Sequence, residues 1–276
     1  MERQAVLITG CSTGIGFMAA TQLNQAGYHV IASCRKTEDV ERIRALGIEC
    51  LHIDLADEES INQGVQDCLS LCNNKLYAVV NNGAFGLPGA IEDLPTQALR
   101  FQFDTNLFGW HHLTTQLIPH FREQGHGRII LVSSVLGFAA MKYRGAYNTS
   151  KFALEGWADT LRLELRDSNI SVSLLQPGPI ETQFRANALA QFIHWIDQKH
   201  SVHAEEYQLQ LKRLSNVKSG NQFCLPPEAC LAPLKHALNA KKPKARYPIT
   251  TPTKLFAVLK RILPQRALDA ILAKSA

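Results

Sequence analysis

A glycine-rich turn directly after the first apolar run of the chain is the feature that most constrains the fold. The run Ala5–Thr9 is followed by Gly10-Cys11-Ser12-Thr13-Gly14-Ile15-Gly16, where a helical pattern begins. Glycines at this spacing allow a tight turn, a close approach of backbone to a pyrophosphate and close packing of a helix on a strand. The helix N-terminus supplies N–H groups and positive potential. The strand, turn and helix context therefore predicts a dinucleotide site, which a glycine-rich loop alone would not. The residues predicted to surround the phosphates are Gly10, Ser12, Thr13, Gly14, Ile15 and Gly16.

Short apolar runs alternate with longer helical patterns along the first two thirds of the chain. Most of these runs do not alternate apolar with polar residues, as is typical of strands that are covered on both faces of a parallel sheet. They are Ala5–Thr9, Tyr28–Ser33, Glu49–Ile53, Leu76–Asn81, Arg128–Ser133 and Ile170–Gln176. Strand, helix and strand in repetition build right-handed βαβ units. The pattern predicts an α/β fold with a Rossmann-type, doubly wound parallel sheet.

The length of the chain favours a single domain. With 276 residues, 46% of them hydrophobic, one core can be buried. We expect a Rossmann core over 1–182, a substrate loop or lid over 183–225 and a C-terminal elaboration over 226–276. This elaboration is predicted to be helical, with one short strand candidate at Tyr247–Thr250.

Three residues mark predicted helix ends. Gly27 is expected to end the first helix in the C′ position. Thr37 and Asp57 each precede two acidic residues, as is typical of capping residues at helix N-termini.

The sequence shows no pattern typical of secretion, membrane insertion or metal binding. The apolar run after Met1-Glu2-Arg3-Gln4 is too short for a signal-peptide core, and no stretch approaches the ~18 apolar residues that cross a bilayer. The seven cysteines form neither a CxxC pair nor a cluster at zinc-ligand spacing, and their odd number argues against a complete disulfide framework. We therefore expect a soluble, cytoplasmic protein with free thiols and no metal site.

Positive charge is concentrated at the C-terminus. From Lys241 onward there are nine Lys and Arg residues against one acid, Asp269, a net charge of +8 in a chain whose total is +5. The segment lacks interleaved aromatic residues, and the chain lacks a recognised nucleic-acid module, so we expect no nucleic-acid partner. Two interpretations of the amphipathic tail over 252–276 stay open: a helix pair packed on the body or on another subunit, and a weak peripheral contact with an anionic membrane.

Tyr147 and Lys151 are candidates for a reacting centre. Their spacing puts a phenol and an ammonium on one face of a helix. Reduction of a carbonyl builds negative charge on its oxygen, so a positioned acid must deliver a proton. A free tyrosine has a pKa of about 10, which a neighbouring ammonium would lower.

The turn beginning at Thr9 and the Tyr147-x-x-x-Lys151 pair together resemble the TGxxxGIG and YxxxK motifs of the short-chain dehydrogenase/reductase family, over roughly residues 4–185. The resemblance implies an oxidoreductase with four catalytic residues. Ser134 lies at the usual interval before Tyr147 and would bind the substrate oxygen ~3 Å from the phenol. Asn106 falls at the family's asparagine position and would hold a water that links Lys151 to solvent. Lys151 would also bind the nicotinamide ribose.

The resemblance also implies where the cofactor lies. Cys34 occupies the position at which NAD users carry an acid, and the following Arg35 suits the 2′-phosphate of NADP(H). Asn81-Asn82-Gly83-Ala84 stands where the family usually has Asn-Asn-Ala-Gly, so the last two residues are exchanged. The other implied contacts are Asp54 and Leu55 at the adenine, Asn82 and Gly83 at the adenosine ribose, and Pro177, Gly178, Ile180 and Thr182 at the nicotinamide carboxamide.

Two segments are predicted to line the substrate pocket. Gly137–Met141 lies between Ser134 and Tyr147, and 184–196 follows the Pro-Gly turn as a lid, unless its aromatic residues are ordinary helix core. Neither is predicted to offer a fixed cation for a carboxylate, so we expect a hydrophobic aldehyde, ketone or alcohol. The histidines of this region, His194, His200 and His203, are predicted to be solvated or capping, with no acid arranged beside them.

The turn and tail together resemble the retinol dehydrogenase and 17β-hydroxysteroid dehydrogenase branch, including its bacterial aldehyde reductases. The family implies a homodimer or homotetramer. A cofactor-sensing regulator without turnover is an alternative, but such proteins often lose the tyrosine or lysine that is present here. A sugar-nucleotide epimerase or dehydratase shares YxxxK, but resembles longer chains with a GxxGxxG turn. An NADP(H)-dependent oxidoreductase is therefore the preferred prediction.

Overall fold

The computed structural model describes residues 3–216 and 221–274. Within these ranges a seven-stranded sheet has the order β3-β2-β1-β4-β5-β6-β7, and all neighbouring strands are parallel. The strands are β1 Ala5–Ile8, β2 His29–Cys34, β3 Glu49–His52, β4 Leu76–Asn81, β5 Gly127–Val132, β6 Ile170–Gln176 and β7 Arg246–Pro248. The predicted doubly wound parallel sheet is confirmed. Since the order reverses between β1 and β4, the carboxyl ends of these strands open a crevice.

Helices connect the strands and cover the sheet. They are α1 Gly14–Gln25, α2 Thr37–Arg44, α3 Glu58–Leu71, α4 Thr96–Phe103, α5 Gly109–Glu123, α6 Gly145–Glu164, α7 Phe184–Trp195, α8 Ala204–Ser215, α9 Leu231–Asn239, α10 Thr251–Ile262 and α11 Gln265–Ala273. Helix α1 packs against β1 and β2, and α5 packs against β4 and β5. Every residue of β1 is buried, which explains why its sequence is apolar throughout.

The structure confirms two of the three predicted helix ends. Gly27 follows the end of α1 with a φ of 92°, in the left-handed region that glycine adopts without strain. The Asp57 side chain accepts hydrogen bonds from the N–H groups of Glu59 and Ser60 at the start of α3. Thr37 is not a cap, because it is already the first residue of α2 and makes no capping hydrogen bond.

The sheet is completed by the C-terminal part of the chain. Strand β7 pairs with β6, so the strand candidate at Tyr247–Thr250 is confirmed in part: the strand begins one residue earlier, at Arg246, and ends two residues earlier, at Pro248. Arg246 ties β7 to α6 through Glu155 at 3.0 Å and Asp159 at 2.7 Å. The edge strand of the sheet thus comes from 226–276, the predicted C-terminal elaboration.

Two smaller apolar clusters flank the main core. In the first, α7 and α8 pack over the loop after β4, with Phe192 and Tyr207 fully buried. In the second, Phe256 of α10 and Leu268 of α11 pack on Val135 and nearby residues. Within the described ranges, none of the helices has the length and apolar character needed to cross a bilayer.

Candidate active site

A cleft of about 410 Å³ lies at the carboxyl ends of β1, β4, β5 and β6. It is the crevice that the reversal of strand order creates, and residues from distant parts of the sequence meet in it. The predicted site residues that line it are Gly10, Ser12, Thr13, Gly14, Ile15, Asn82, Gly83, Ser134, Tyr147, Lys151, Pro177, Gly178, Ile180 and Thr182. The other predicted site residues, Gly16, Arg35, Asp54, Leu55 and Asn106, lie behind or beside this lining.

The glycine turn has the shape of a phosphate cradle. Gly10 and Gly14 adopt φ values of +69° and +61°, which other residues rarely adopt. A Cβ on Gly10 would lie 2.4 Å from Cα of Gly83, and one on Gly16 would lie 2.3 Å from the carbonyl oxygen of Gly10. Because Gly10, Gly14 and Gly16 carry no side chains, the backbone at the N-terminus of α1 can approach a ligand in the cleft closely. The turn therefore fits the pyrophosphate of a dinucleotide.

Hydrogen bonds hold the ends of β1 and β4 together beneath this turn. The Thr9 hydroxyl accepts from the N–H groups of Asn82 and Gly83, and the Asn82 amide donates to the carbonyls of Thr9 and Gly10. A Cβ on Gly83 would lie 2.8 Å from the flexible end of Leu55, and 3.3 Å and 3.4 Å from the backbone N and Cα of Gly10. An alanine here would require Leu55 and the turn to shift, so glycine suits the close approach of the ends of β1 and β4.

The region predicted to bind the adenosine end combines exposed and buried residues. Cys34 is buried at the end of β2, whereas Arg35 is exposed just beyond it. The Asp54 carboxylate accepts from the N–H of Ala56. Arg42 is a residue that sequence reasoning missed: it donates to the carbonyl of Ser12 at 2.6 Å. No sequence signal marked it, because α2 meets the glycine turn only in the folded sheet.

Lys151 lies on the same face of α6 as Tyr147, as their spacing predicted. Its Nζ donates to the carbonyl of Val132 at 2.8 Å, and lies 4.3 Å from the Trp110 ring centroid and 5.8 Å from the Tyr147 ring centroid. Burial lowers the pKa of Lys151 to about 7, although the negative charge of Glu155 acts in the opposite direction. This lysine is therefore poised to lose or hold its proton near neutral pH.

In this structure, without a bound cofactor, the pKa of Tyr147 lies above its ordinary value. Burial of the phenol raises the pKa of Tyr147 to about 12, and the hydrogen bond with Ser134 only partly offsets this. The Lys151 ammonium does not reverse the effect, because it is directed at the Val132 carbonyl. The Ser134 hydroxyl also accepts from the N–H of Leu136 at 3.1 Å, which leaves its hydrogen for the phenol or a substrate oxygen.

Asn106 lies in a π-helical turn, Asp104–Phe108, between α4 and α5. Its amide is buried, accepts from the N–H of Phe85, and donates to the carbonyl of Phe85 at 2.9 Å and to the Ser150 hydroxyl at 3.3 Å. The side chain is thus engaged with the loop after β4 and with α6, and its role in holding a water, which the resemblance implies, stays a prediction. Asn106 positions the two elements that carry Gly83 and Lys151.

The predicted substrate segments contribute only in part. Of Gly137–Met141 only Met141 lines the cleft, because Phe138 and Ala139 pack toward α10 and α11. Phe184 and Ala188 of α7 line it, whereas Phe192 is core. The pocket role holds for the first half of α7, and the core interpretation holds for the second.

The prediction that these segments offer no cation is wrong for 184–196, because Arg185 lines the cleft. Arg144 and Arg213, from outside the two segments, line it as well. Arg185 lies inside the predicted lid segment, and Arg144 precedes Tyr147 by three residues, so both had a sequence signal. The expectation that no acid accompanies the histidines is also wrong: His200 pairs with Asp197, and His203 pairs with Glu92.

Comparison with known proteins places this cleft in a family. The family model described as short chain dehydrogenase matches residues 4–191. An uncharacterized oxidoreductase of Escherichia coli, YbbO, is 42% identical over 98% of this chain and 94% of its own. Human retinol dehydrogenase 8 is 36% identical over 68% of this chain and 62% of its own.

A solved structure shows the same fold. It is a short-chain dehydrogenase from Burkholderia cenocepacia in complex with NADP, with a TM-score of 0.75, 19% identity and 98% coverage of both chains. The match to the family model covers the glycine turn, the serine, the tyrosine and the lysine that meet in the cleft. The chain is an oxidoreductase of the short-chain dehydrogenase/reductase family, close to its retinol dehydrogenase-like branch.

Proposed function

We propose that this chain transfers a hydride between NADP(H) and an aldehyde or ketone with an apolar body, or the corresponding alcohol. The observation that carries the proposal is the meeting of Tyr147, Lys151 and Ser134 with the glycine turn in one cleft. The apolar side chains of Leu136, Met141 and Phe184 border the same cleft and favour an apolar substrate body.

The side chains of the cleft supply the proton chemistry. NADP(H), when bound, supplies or accepts the hydride. Tyr147, with its pKa raised to about 12, is protonated at neutral pH and can donate to an oxygen that gains negative charge. Ser134 orients that oxygen with its remaining hydrogen. Lys151, which is buried in the same cleft, either stays positively charged or exchanges its proton.

Two features of the chain support NADP(H) over NAD(H). Cys34 and Arg35 replace the acid that would bind a ribose 2′-hydroxyl, and Arg35 is exposed where a 2′-phosphate would be solvated. Arg42 adds a second cation at the carbonyl of Ser12. The B. cenocepacia relative in complex with NADP shares the fold that places these residues.

The test is NADPH oxidation by the pure chain with aliphatic aldehydes, retinal and steroid ketones. We expect turnover of at least one class, and a loss of kcat of about 10²- to 10⁴-fold in Tyr147→Phe, because the general acid is removed. NADPH binding, measured by fluorescence, should persist in the variant.

A matched control is Tyr28→Phe. It removes a phenol that hydrogen-bonds to Asn239 and that does not line the cleft. Its turnover should stay close to that of the parent chain. Parental turnover by Tyr147→Phe would contradict the mechanism.

A further inference from the structure

Three arginines from three separate elements point into the cleft that holds Tyr147. Arg144 directly precedes α6, Arg185 is in the first turn of α7, and Arg213 is in the last turn of α8. Together with Lys151 they are the charged side chains among the described residues of the lining, which include no aspartate or glutamate. The substrate side of this cleft is therefore strongly cationic.

Two of these arginines, Arg144 and Arg213, have no acidic partner among the described residues. Among the ion pairs of residues 3–216 and 221–274, none includes Arg144 or Arg213. Arg144 donates to the Met141 sulfur at 3.0 Å, a weak acceptor, and Arg213 donates to the Gln210 amide oxygen. Burial, together with the smaller effect of the positive charges of Arg213 and Arg185, lowers the pKa of Arg144 to about 10. An anion bound among the three would relieve this repulsion.

The helix ends increase the positive potential. Arg144 stands at the N-terminus of the 20-residue helix α6, and Arg185 stands at the N-terminus of the 12-residue helix α7. A helix N-terminus carries partial positive charge, so a cation there is unfavourable unless an anion lies nearby. For Arg144, which has no ion pair among the described residues, an anionic ligand in the cleft would supply this negative charge.

The position of the cluster separates it from the cofactor phosphates. The predicted pyrophosphate site lies at a different helix N-terminus, that of α1 in the glycine turn. Phe184, adjacent to Arg185, contacts the Tyr147 ring at a centroid distance of 5.2 Å. The backbone of Arg144 forms an isolated β-bridge with that of Gly89. The apolar residues Met141 and Leu214 line the same part of the cleft. The cations thus lie beside the phenol, with apolar surface among them.

We propose that the substrate carries a carboxylate, phosphate or sulfonate in addition to its carbonyl and apolar body, and that Arg144, Arg185 and Arg213 bind this anionic group. The proposal rests on the carbonyl chemistry proposed above and narrows its substrate class to amphipathic anions. Charge-assisted bonds from guanidinium groups to such an anion are strong and directional.

The test compares two aldehydes of equal chain length, nonanal and 9-oxononanoate, in NADPH oxidation. We expect kcat/KM to be at least about 10-fold higher for 9-oxononanoate, which corresponds to one charge-assisted contact. Arg144→Gln and Arg213→Gln should each lower kcat/KM for 9-oxononanoate about 10- to 100-fold, and should lower kcat/KM for nonanal by a smaller factor. Arg122→Gln, which changes an exposed arginine of α5 outside the cleft, should change neither.

Alkyl anions identify the head group. Octanoate, octyl phosphate and octane-1-sulfonate should inhibit nonanal reduction more strongly than 1-octanol does, in competition with the aldehyde, and the strongest of them reveals the preferred anion. Competition with NADPH instead would assign the arginines to the cofactor and overturn the proposal. Equal kcat/KM for the two aldehydes, or equal losses for both in Arg144→Gln and Arg213→Gln, would also overturn it.

The two proposals fail in different ways. Reduction of nonanal without any preference for 9-oxononanoate leaves the carbonyl chemistry intact and refutes the anion site. If no aldehyde is reduced, calorimetry of octyl phosphate binding to the NADP-saturated chain still decides the anion site. Binding that Arg144→Gln and Arg213→Gln weaken, and Arg122→Gln does not, supports the site; the absence of such binding refutes it.

Discussion

Burial of Tyr147 and Lys151 moves their pKa values in opposite directions, to about 12 for the phenol and to about 7 for the ammonium. Burial disfavours whichever form is charged, so it keeps the phenol protonated and makes the lysine easier to deprotonate. Spacing along a helix predicted that these groups share a face. It did not predict the pKa of Tyr147, because the ammonium is directed at Val132 and desolvation dominates.

Arg35 is the residue on which cofactor choice should depend. We expect Arg35→Asp to weaken NADP binding by about 10- to 100-fold, because it replaces a cation beside the 2′-phosphate with a repelling carboxylate. Lys36→Asp makes the same charge change at the next exposed position and should alter NADP affinity by less than about 3-fold. Thermal stabilisation by NADP and by NAD measures both. Equal stabilisation of the parent chain by the two cofactors would contradict the role of Arg35.

At the scale of elements, the capping patterns predicted a helix N-cap correctly only where the side chain could accept a hydrogen bond from the first turn of the helix. Asp57 and Thr37 stand in similar sequence contexts, yet only Asp57 adopts the extended conformation outside its helix. The sheet edge depends on contacts between distant elements, since β7 is held on α6 by Arg246 with Glu155 and Asp159. Local sequence patterns predicted a strand at this position, but they did not predict that it pairs with β6.

Removal of Arg246 should destabilise the fold. The Glu155 side chain is only 9% exposed and would lose its cation, retaining its hydrogen bond from Gln176. We expect Arg246→Leu to lower the free energy of unfolding by about 2–4 kcal/mol, since a buried charge left without its partner is costly. Urea denaturation measures this change.

Arg162→Leu is the matched control, because it breaks an exposed pair with the same Asp159. Pairs of this kind contribute at most about 0.5–1 kcal/mol. Similar losses for Arg246→Leu and Arg162→Leu would show that burial of Glu155 does not matter.

At the scale of the whole molecule, the basic C-terminal segment packs on the body with one face and leaves another exposed. Phe256, Leu268 and Leu272 are buried against Val135 and its neighbours, as the packed interpretation predicted. The outer face keeps Leu255 and Ile262 exposed at 53% and 67%. Lys254, Lys260 and Arg261 surround this outer face, so packing on the body accounts for only half of the amphipathic pattern.

We propose that this outer face makes a weak peripheral contact with anionic membranes. The pure chain should then sediment with anionic vesicles at low ionic strength and be released at about 0.5 M salt, where charges are screened within a few ångströms. The double variant Leu255→Gln/Ile262→Gln should sediment less, whereas Leu46→Gln, an equally exposed leucine elsewhere, should behave like the parent. A chain that stays in the supernatant at low salt would rule out this contact.

The sequence by itself determined the parallel sheet, the glycine turn and the placement of Tyr147 and Lys151 on one face of a helix. These features depend on short-range patterns: apolar runs, positive φ at glycines and a four-residue helical spacing. Only the tertiary structure decided the charge of the substrate side, because Arg144, Arg185 and Arg213 come from separate elements and meet only when α6, α7 and α8 pack around the cleft. It also decided the pKa values of the reacting pair, since burial is a property of the whole fold.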